Sequence, residues 1–329
     1  MQFTLPIALP PGVKSVAPQI NLVYTGGSGN GIAGYGWNLS GITSISRIGK
    51  TIEKDGELKG VQLDYSDYYS FNGQRLILKS GEYGKDGAEY VTEKYSNIKI
   101  KSVGTITGQV WKGAEYFEVT FEDGSQAWYG ASTTGASNAR TPIEYNIVKW
   151  KDAQGNYITY NYTQSNNVAV ISSIQWGGNE TQGKAHFNEI NFSYESRQLK
   201  ERSFVSGIEF KQSQILKSIT VLNNGNQFKK YTINNVVNAN NQYQFVQSIT
   251  EQNKVDEAAN PITFTYQTAD TERWKESRIH DSNHNSKGIN GDFDGDGKID
   301  LIKRENDTVV LYKDVFGVNT KVNIGSVST

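Results

Sequence analysis

The sequence predicts an all-β protein built from antiparallel hairpins. Three observations point there. Residues that favour a pleated, half-buried surface are abundant: 19 Tyr and 13 Phe accompany many Val and Thr, with only six Pro, in 329 residues. Alternating apolar and polar runs recur, bounded by Asp-Gly, Gly-Asn or Asn-Gly turns that supply the positive φ angles tight hairpins need. Helical periodicity is nearly absent, and only Glu195 to Phe204 leaves room for a short helical turn or a loop.

The hairpins follow in order. Tyr116 to Thr120 turns at Glu122–Ser125 and returns through Gln126 to Tyr129. Ile147 to Trp150 turns through Asp152–Asn156 into Tyr157–Tyr162, and Val168 to Trp176 reaches a Gly177-Gly178-Asn179 turn. Ile215 to Leu222 turns at Asn223–Asn226 and returns from Phe228 to Ile233; Phe245–Thr250 and Pro261–Tyr266 complete the series. Their unequal lengths argue for a meandering antiparallel sheet with one buried face, not a short-period solenoid. Tyr157, Tyr160 and Tyr162 put aromatics on both faces of their strand. Cross-strand packing is the ordinary account of such a row, and a carbohydrate-stacking platform the sharper one.

Gln267 to Asn290 is polar, charged and poor in alternation. It divides the chain into an all-β domain over 1–275, a linker over 276–290 and a final segment over 291–329. That last segment is too short for a core of its own but suffices for one incomplete β-propeller-like blade, which needs neighbours.

The final segment opens with the one stretch that names a chemistry. Asp292, Asp294, Asp296 and Asp300 alternate through a loop whose turn is eased by Gly297. Calcium takes 6–8 oxygen ligands, and carboxylates at this spacing supply most of them. The twelfth position counted from Asp292 is Lys303 instead of the Glu of an EF-hand, and Ile299, Leu301 and Ile302 followed by a Glu305-Asn306-Asp307 turn signal a hairpin, not flanking helices. The expected set is Asp292, Asp294, Asp296 and Asp300 through side chains and Lys298 through its carbonyl. The plain alternative is a solvated acidic turn.

Composition excludes several classes. The formal net charge is −1, from 33 basic and 34 acidic residues, so nothing recommends a nucleic-acid partner. No run approaches the ~18 apolar residues of a membrane span. Cysteine is absent, which removes disulfides, thiolate metal sites and a Cys nucleophile. Met1 leads into Gln-Phe-Thr-Leu-Pro with no basic and apolar signal regions, as in a cut-out domain or a protein exported by another route. No enzyme is expected. His280 and His284 lack a helix and a third strong ligand, His186 beside Phe187 reads as a surface or packing residue, and neither Ser28 nor Ser40 sits in a nucleophile motif.

The first 60 residues carry a distinctive order of motifs: Pro6–Gly12, Ala17–Tyr24, the glycine-rich Ser28–Gly41 and Ile42–Arg47. No Gly-Lys-Ser/Thr or helix follows the glycine loop, so it does not read as a phosphate cradle. Glycine there lets Trp37 and the chain pass close to another backbone. The series resembles the N-terminal SpvB-type domain of Salmonella virulence plasmid proteins and of the B component of insecticidal ABC toxin complexes. A looser match runs on to Thr263–Tyr266, and the Asp292–Asp300 loop then resembles an FG-GAP or VCBS repeat.

The resemblance implies a secreted, extracellular, non-catalytic shell-wall segment. In such toxins this region joins Rhs-type repeats in a hollow shell around a toxic polypeptide, and a propeller docks on a translocation-channel component. Its implied partners are therefore the rest of a larger toxin or Rhs polypeptide, the enclosed toxin and that channel. No Rhs core or ADP-ribosylating domain is visible in these residues. An extracellular carbohydrate-binding or adhesion module is the alternative function.

Overall fold

The computed structural model describes residues 1–239, 241–266, 288–318 and 320–326. Among them every strand pairing is antiparallel, as the alternation and turn residues predict, and the chain divides into two compact units, Met1–Thr265 and Tyr266–Thr329. That division comes earlier than the boundary placed at 275. The linker expected over 276–290 lies mostly outside the described residues, and its end is strand, since Gly288–Gly291 pairs with Asp300–Lys303.

The first unit begins with a small sheet. Its strands β1 (Gln2–Pro6), β2 (Asn21–Thr25), β3 (Asn30–Gly31), β4 (Gly34–Tyr35) and β5 (Trp37–Ser40) pair in the order β1-β2-β5-β4-β3. Next come β6 (Ser44–Ile48), β7 (Tyr68–Phe71), β8 (Gln74–Ser80), β9 (Glu89–Thr92), β10 (Lys99–Val103), β11 (Tyr116–Thr120), β12 (Gln126–Tyr129) and β13 (Glu144–Lys151). Each of these pairs with its successor, and β13 returns to β6 through Glu144–Asn146 opposite Ser44–Ser46. The open meander expected from the hairpins thus closes, over this stretch, into an eight-stranded up-and-down barrel. Closure rests on contacts far apart in sequence, such as Ser44 Oγ donating to Glu144 Oε1 at 2.7 Å across 100 residues. No single hairpin announces them.

Inward positions fill the barrel. Ile45, Phe71, Tyr90, Ile100, Phe117, Val119, Ala127 and Tyr145 are buried, and Phe117 meets Tyr145 edge-on at 4.9 Å while Phe71 meets Tyr129 at 5.6 Å. Eight strands leave room for side chains and little else, so the centre is packed core and not a channel.

β13 belongs to two sheets. Its first half borders β6; its second half, Lys149–Lys151, turns to Tyr157–Thr159 of β14 (Asn156–Ser165). From there an open sheet runs through β15 (Val168–Asn179), β16 (Asn188–Val205), β17 (Ile208–Asn223), β18 (Asn226–Val237), β19 (Gln244–Gln252) and the short β20 (Ile262–Thr263). Two local expectations change here. Gly177 and Gly178 lie inside β15, and the turn follows at Glu180–Gly183, where Gly183 N–H donates to the Glu180 carbonyl at 3.0 Å. These glycines serve close approach, since a Cβ on Gly177 would overlap the Phe187 ring. Glu195–Phe204 is strand, not helical turn or loop. A register shift between Ser196 and Glu201 absorbs the charged run, and pairing with β17 then continues to Val205 opposite Ile208.

That long hairpin reaches back to the barrel. Its tip lays Val205 and Ile208 against a satellite cluster of Leu63, Ile106 and Trp111, and Ser206 Oγ donates to the Val61 carbonyl at 2.6 Å. The small N-terminal sheet packs on the open sheet through Trp37, Leu22 and Ile20, within the same continuous core as the barrel. Polar ties hold the match: Ala8 N–H to Tyr231 Oη at 3.0 Å, Trp176 Nε1–H to the Pro10 carbonyl at 3.2 Å, Asn188 Nδ2 to the Pro11 carbonyl at 3.1 Å and Arg197 Nη2 to the Gly31 carbonyl at 2.6 Å. The proline-proline and glycine motifs of the sequence thus act as acceptors for the sheet beneath them.

The second unit is a four-stranded antiparallel sheet of β21 (Gly288–Gly291), β22 (Asp300–Glu305), β23 (Thr308–Lys313) and β24 (Thr320–Ser326), in that order. Among the described residues no helix is long and apolar enough to cross a membrane.

Candidate functional site

The aspartate loop joins β21 to β22, and its turn follows from its own carboxylates. Asp292 Oδ1 accepts from the Gly295 and Asp296 amides at 2.7 and 3.2 Å, and Asp292 Oδ2 from the Gly297 amide at 2.9 Å. Gly295 and Gly297 take φ of +78° and +80°, which lets the chain curl around that carboxylate. Asp300 is fully buried; it accepts from the Phe293 amide at 3.0 Å and the Asp314 amide at 2.9 Å, tying the loop to the end of β23. Of the expected ligands, Asp292, Asp294 and Asp300 place one oxygen each within 4.8 Å of one another. Asp296 accepts from the Lys298 amide at 2.9 Å, and the Lys298 ammonium reaches Asp314 at 3.0 Å.

The loop also has internal counter-charges that its spacing does not reveal. Lys313 Nζ lies 2.9 Å from Asp294 Oδ2 and holds that carboxyl below the usual carboxylate range. Convergent hard oxygens on three carboxylates fit a divalent cation such as calcium.

The barrel presents a second constellation, which sequence reasoning missed. At the end where β10 and β6 finish and β11 and β13 begin, the Arg47 guanidinium is fully enclosed. It donates to the Pro142 carbonyl at 2.8 Å, the Asp64 carbonyl at 3.0 Å, the Lys112 carbonyl and Asp67 Oδ2 at 3.0 Å. Tyr69 and Trp111 lie 5.2 and 5.8 Å from its centre as π faces. Asp67 in turn accepts from the Gln62 and Leu63 amides at 2.6 and 2.7 Å. This charged plug stitches three loops across one barrel end, with the β16–β17 tip beside it. The only sequence signal was the alternation Ile45-x-Arg47, which puts Arg47 on the inward face.

His186 is packed, as one of its two expected readings had it. The Gly178 amide donates to Nδ1 at 3.3 Å, so Nε2 carries the proton toward Thr159 Oγ1 at 2.9 Å, and the ring lies 4.0 Å from Tyr157. Desolvation pushes the imidazole down to about 4, with nearby Glu180 opposing. An unfolded histidine takes up its proton near pH 6.5, so between pH 6.5 and 4 unfolding binds a proton and stability falls as the pH drops. We expect wild type to lose on the order of 1 kcal/mol more than His186→Gln between pH 7 and 5, after allowing for the half-exposed ring. Parallel urea titrations of both proteins check this; identical losses would exclude it. His280 and His284 lie outside the described residues. Ser28 Oγ donates to the Thr25 carbonyl at 2.9 Å and Ser40 Oγ accepts from Asn21 Nδ2 at 3.1 Å.

Comparison with known proteins places this architecture. No curated protein sequence matches the chain. A crystal structure of TcdB2-TccC3-Cdc42 is similar over 94% of this chain and 18% of that one, with a TM-score of 0.67 and 13% identity. The Photorhabdus luminescens Tc holotoxin pore gives a TM-score of 0.64 at 12% identity over the same shares. The N-terminal domain of the effector protein SpvB from Salmonella typhimurium strain LT2 gives 0.57 at 15% identity, over 76% of this chain and 98% of that one. At these identities the likeness shows the fold, and the chain spans less than a fifth of the toxin chains' length. The family model for the Salmonella virulence plasmid 65kDa B protein, SpvB, matches residues 1–207, more than half of the sequence, and the chain belongs to that family.

Proposed function

We propose that the chain is a non-catalytic wall segment of a secreted toxin-shell protein that encloses or delivers a toxic polypeptide. The observation that supports it best is coverage: the fold common to this chain and the toxin-complex chains extends over 94% of its residues, through both units. Its partners are then the remainder of a larger Rhs-type polypeptide, the enclosed toxin and a translocation-channel component. A wall must be stiff and closed, and a filled barrel fused to a two-layered sheet meets that demand. In the full-length protein that carries this domain, a toxic segment should resist protease while the domain is folded. Complete digestion of that segment alongside an intact domain would sink the reading.

The second unit is, on this reading, one blade of an FG-GAP or VCBS-type propeller with a calcium-stabilised loop. Its sheet leaves Ile289 68% exposed and Ile324 47% exposed, apolar surface that a neighbouring blade covers. Asp292, Asp294 and Asp300 would hold calcium, with Asp296 and the Lys298 carbonyl completing the oxygen set, and the ion supplies the positive charge that Lys313 gives Asp294 here. Calcium at 100 times its Kd should stabilise this unit by about 2.7 kcal/mol. Thermal melts with and without calcium check the rise, which Asp294→Ala should abolish. A calorimetric titration without heat at millimolar calcium counts against the ion and leaves the wall reading untouched.

A further inference from the structure

The two ends of the barrel differ. One is plugged by Arg47 and its loops. At the other, β13 has left β6 for β14, and a cavity of about 460 Å³ opens. Its floor follows from the pleat. Ile100, Val119 and Ala127 are paired inward positions, and Trp150 pairs with Ala127 on the same face. Ile98 and Phe121 lie two residues beyond Ile100 and Val119, so with Trp150 they form the last inward layer, half-buried against the core. The rim comes from the β9–β10 and β11–β12 turns and carries Asn97, Glu122 and Asp123.

Three features define what fits. The volume lies within the range of small-molecule sites, and barrel mouths are a usual place for them. Two aromatic side chains, Phe121 and Trp150, line it. Two carboxylates and no Lys, Arg or His line the cavity. Asp123 stays ionised, because the Ser125 hydroxyl and amide donate to its Oδ1 at 2.6 and 2.9 Å and lower its pKa. An anion is repelled here, and an uncharged apolar ligand gains nothing from Glu122 and Asp123. An organic cation satisfies both the rings and the carboxylates.

We propose that the open mouth of the barrel is a binding site for an organic ammonium group of the trimethylammonium type, held between Phe121 and Trp150 with Glu122 and Asp123 as counter-charges. The group has two sources, a soluble ammonium compound or the headgroup of a choline lipid. The proposal stands apart from the wall reading, since it concerns one cavity of the first unit.

Calorimetric titration of the full chain with choline, and with its uncharged isostere 3,3-dimethylbutan-1-ol, tests it. Choline should bind about tenfold more tightly than the isostere. Glu122→Gln, a change in an exposed turn, should remove most of that preference while leaving the melting temperature unchanged. Trp150→Phe keeps a ring and should weaken both ligands. Equal binding of choline and the isostere overturns the proposal, as does no choline binding at millimolar concentration, or a choline preference that survives in Glu122→Gln. Sedimentation with phosphatidylcholine and phosphatidylglycerol vesicles separates the sources. Choline-reversible pelleting with phosphatidylcholine alone identifies the lipid headgroup; choline binding without pelleting identifies a soluble ammonium compound.

Discussion

Arg47→Met is expected to cost about 3–5 kcal/mol of unfolding free energy, because it leaves a buried charge without its partner. The guanidinium answers one carboxylate and three carbonyls within an enclosed barrel end. Methionine fills part of the space but donates nothing, so Asp67 is left with two backbone amides against a full negative charge. The double variant Arg47→Met, Asp67→Asn should recover part of the loss, since it removes the orphaned charge as well. Urea unfolding of the three proteins gives the coupling directly, and purely additive losses would show that the pair does not act as a unit. Loss of the plug should also loosen the β16–β17 tip, so amides near Val205 and Ile208 should exchange faster in the single variant.

Gly41→Ala should be nearly as damaging. Gly41 holds φ of +96°, and a Cβ there would overlap the Gln19 carbonyl oxygen. Strained backbone and a clash with main chain act together, so a loss of about 3–5 kcal/mol is expected. Gly27 offers the control. It has φ of +83° but open space around its Cβ position, so Gly27→Ala should cost only about 1–2 kcal/mol. Chemical denaturation of both variants isolates the steric part. Equal losses would mean that close approach is not why glycine stands at residue 41.

Hairpins were legible in the sequence because their causes are local. Turn residues such as Asp123-Gly124 and Asn224-Gly225 lie beside the alternation they reverse, and β11–β12 and β17–β18 appear where those signals put them. The barrel was not legible, because β6 and β13 meet through residues 100 apart. Arg47 was visible as the last residue of a motif, but its partner Asp67 comes from a loop with no periodic signal. At the aspartate loop the carboxylates could be read from spacing, whereas their ammonium partner Lys313 and the Asp314 amide arrive from another strand. The charged run around Glu195–Phe204 misled in the opposite way. Pairing with β17 and one register shift make strand of residues whose composition suggested a turn.

The seating of the N-terminal sheet has a consequence for how the protein is made. Phe3 packs edge-on against Phe264 at 5.4 Å, and Ala8 binds Tyr231 across 223 residues. Strands β1 and β2 therefore lack part of their docking surface until nearly the whole first unit has been synthesised. At roughly 5–20 residues per second that is a wait of about 13–50 s, during which β1 and β2 expose the apolar faces that later pack against the rest of the unit. Contacts of this sequence range also make folding itself slow. The barrel, complete by residue 151 apart from its hairpin cap, can form first and serve as the template on which the open sheet and then the N-terminus assemble. A nascent chain stalled before residue 264 should thus be a chaperone client, and one released just beyond it should not.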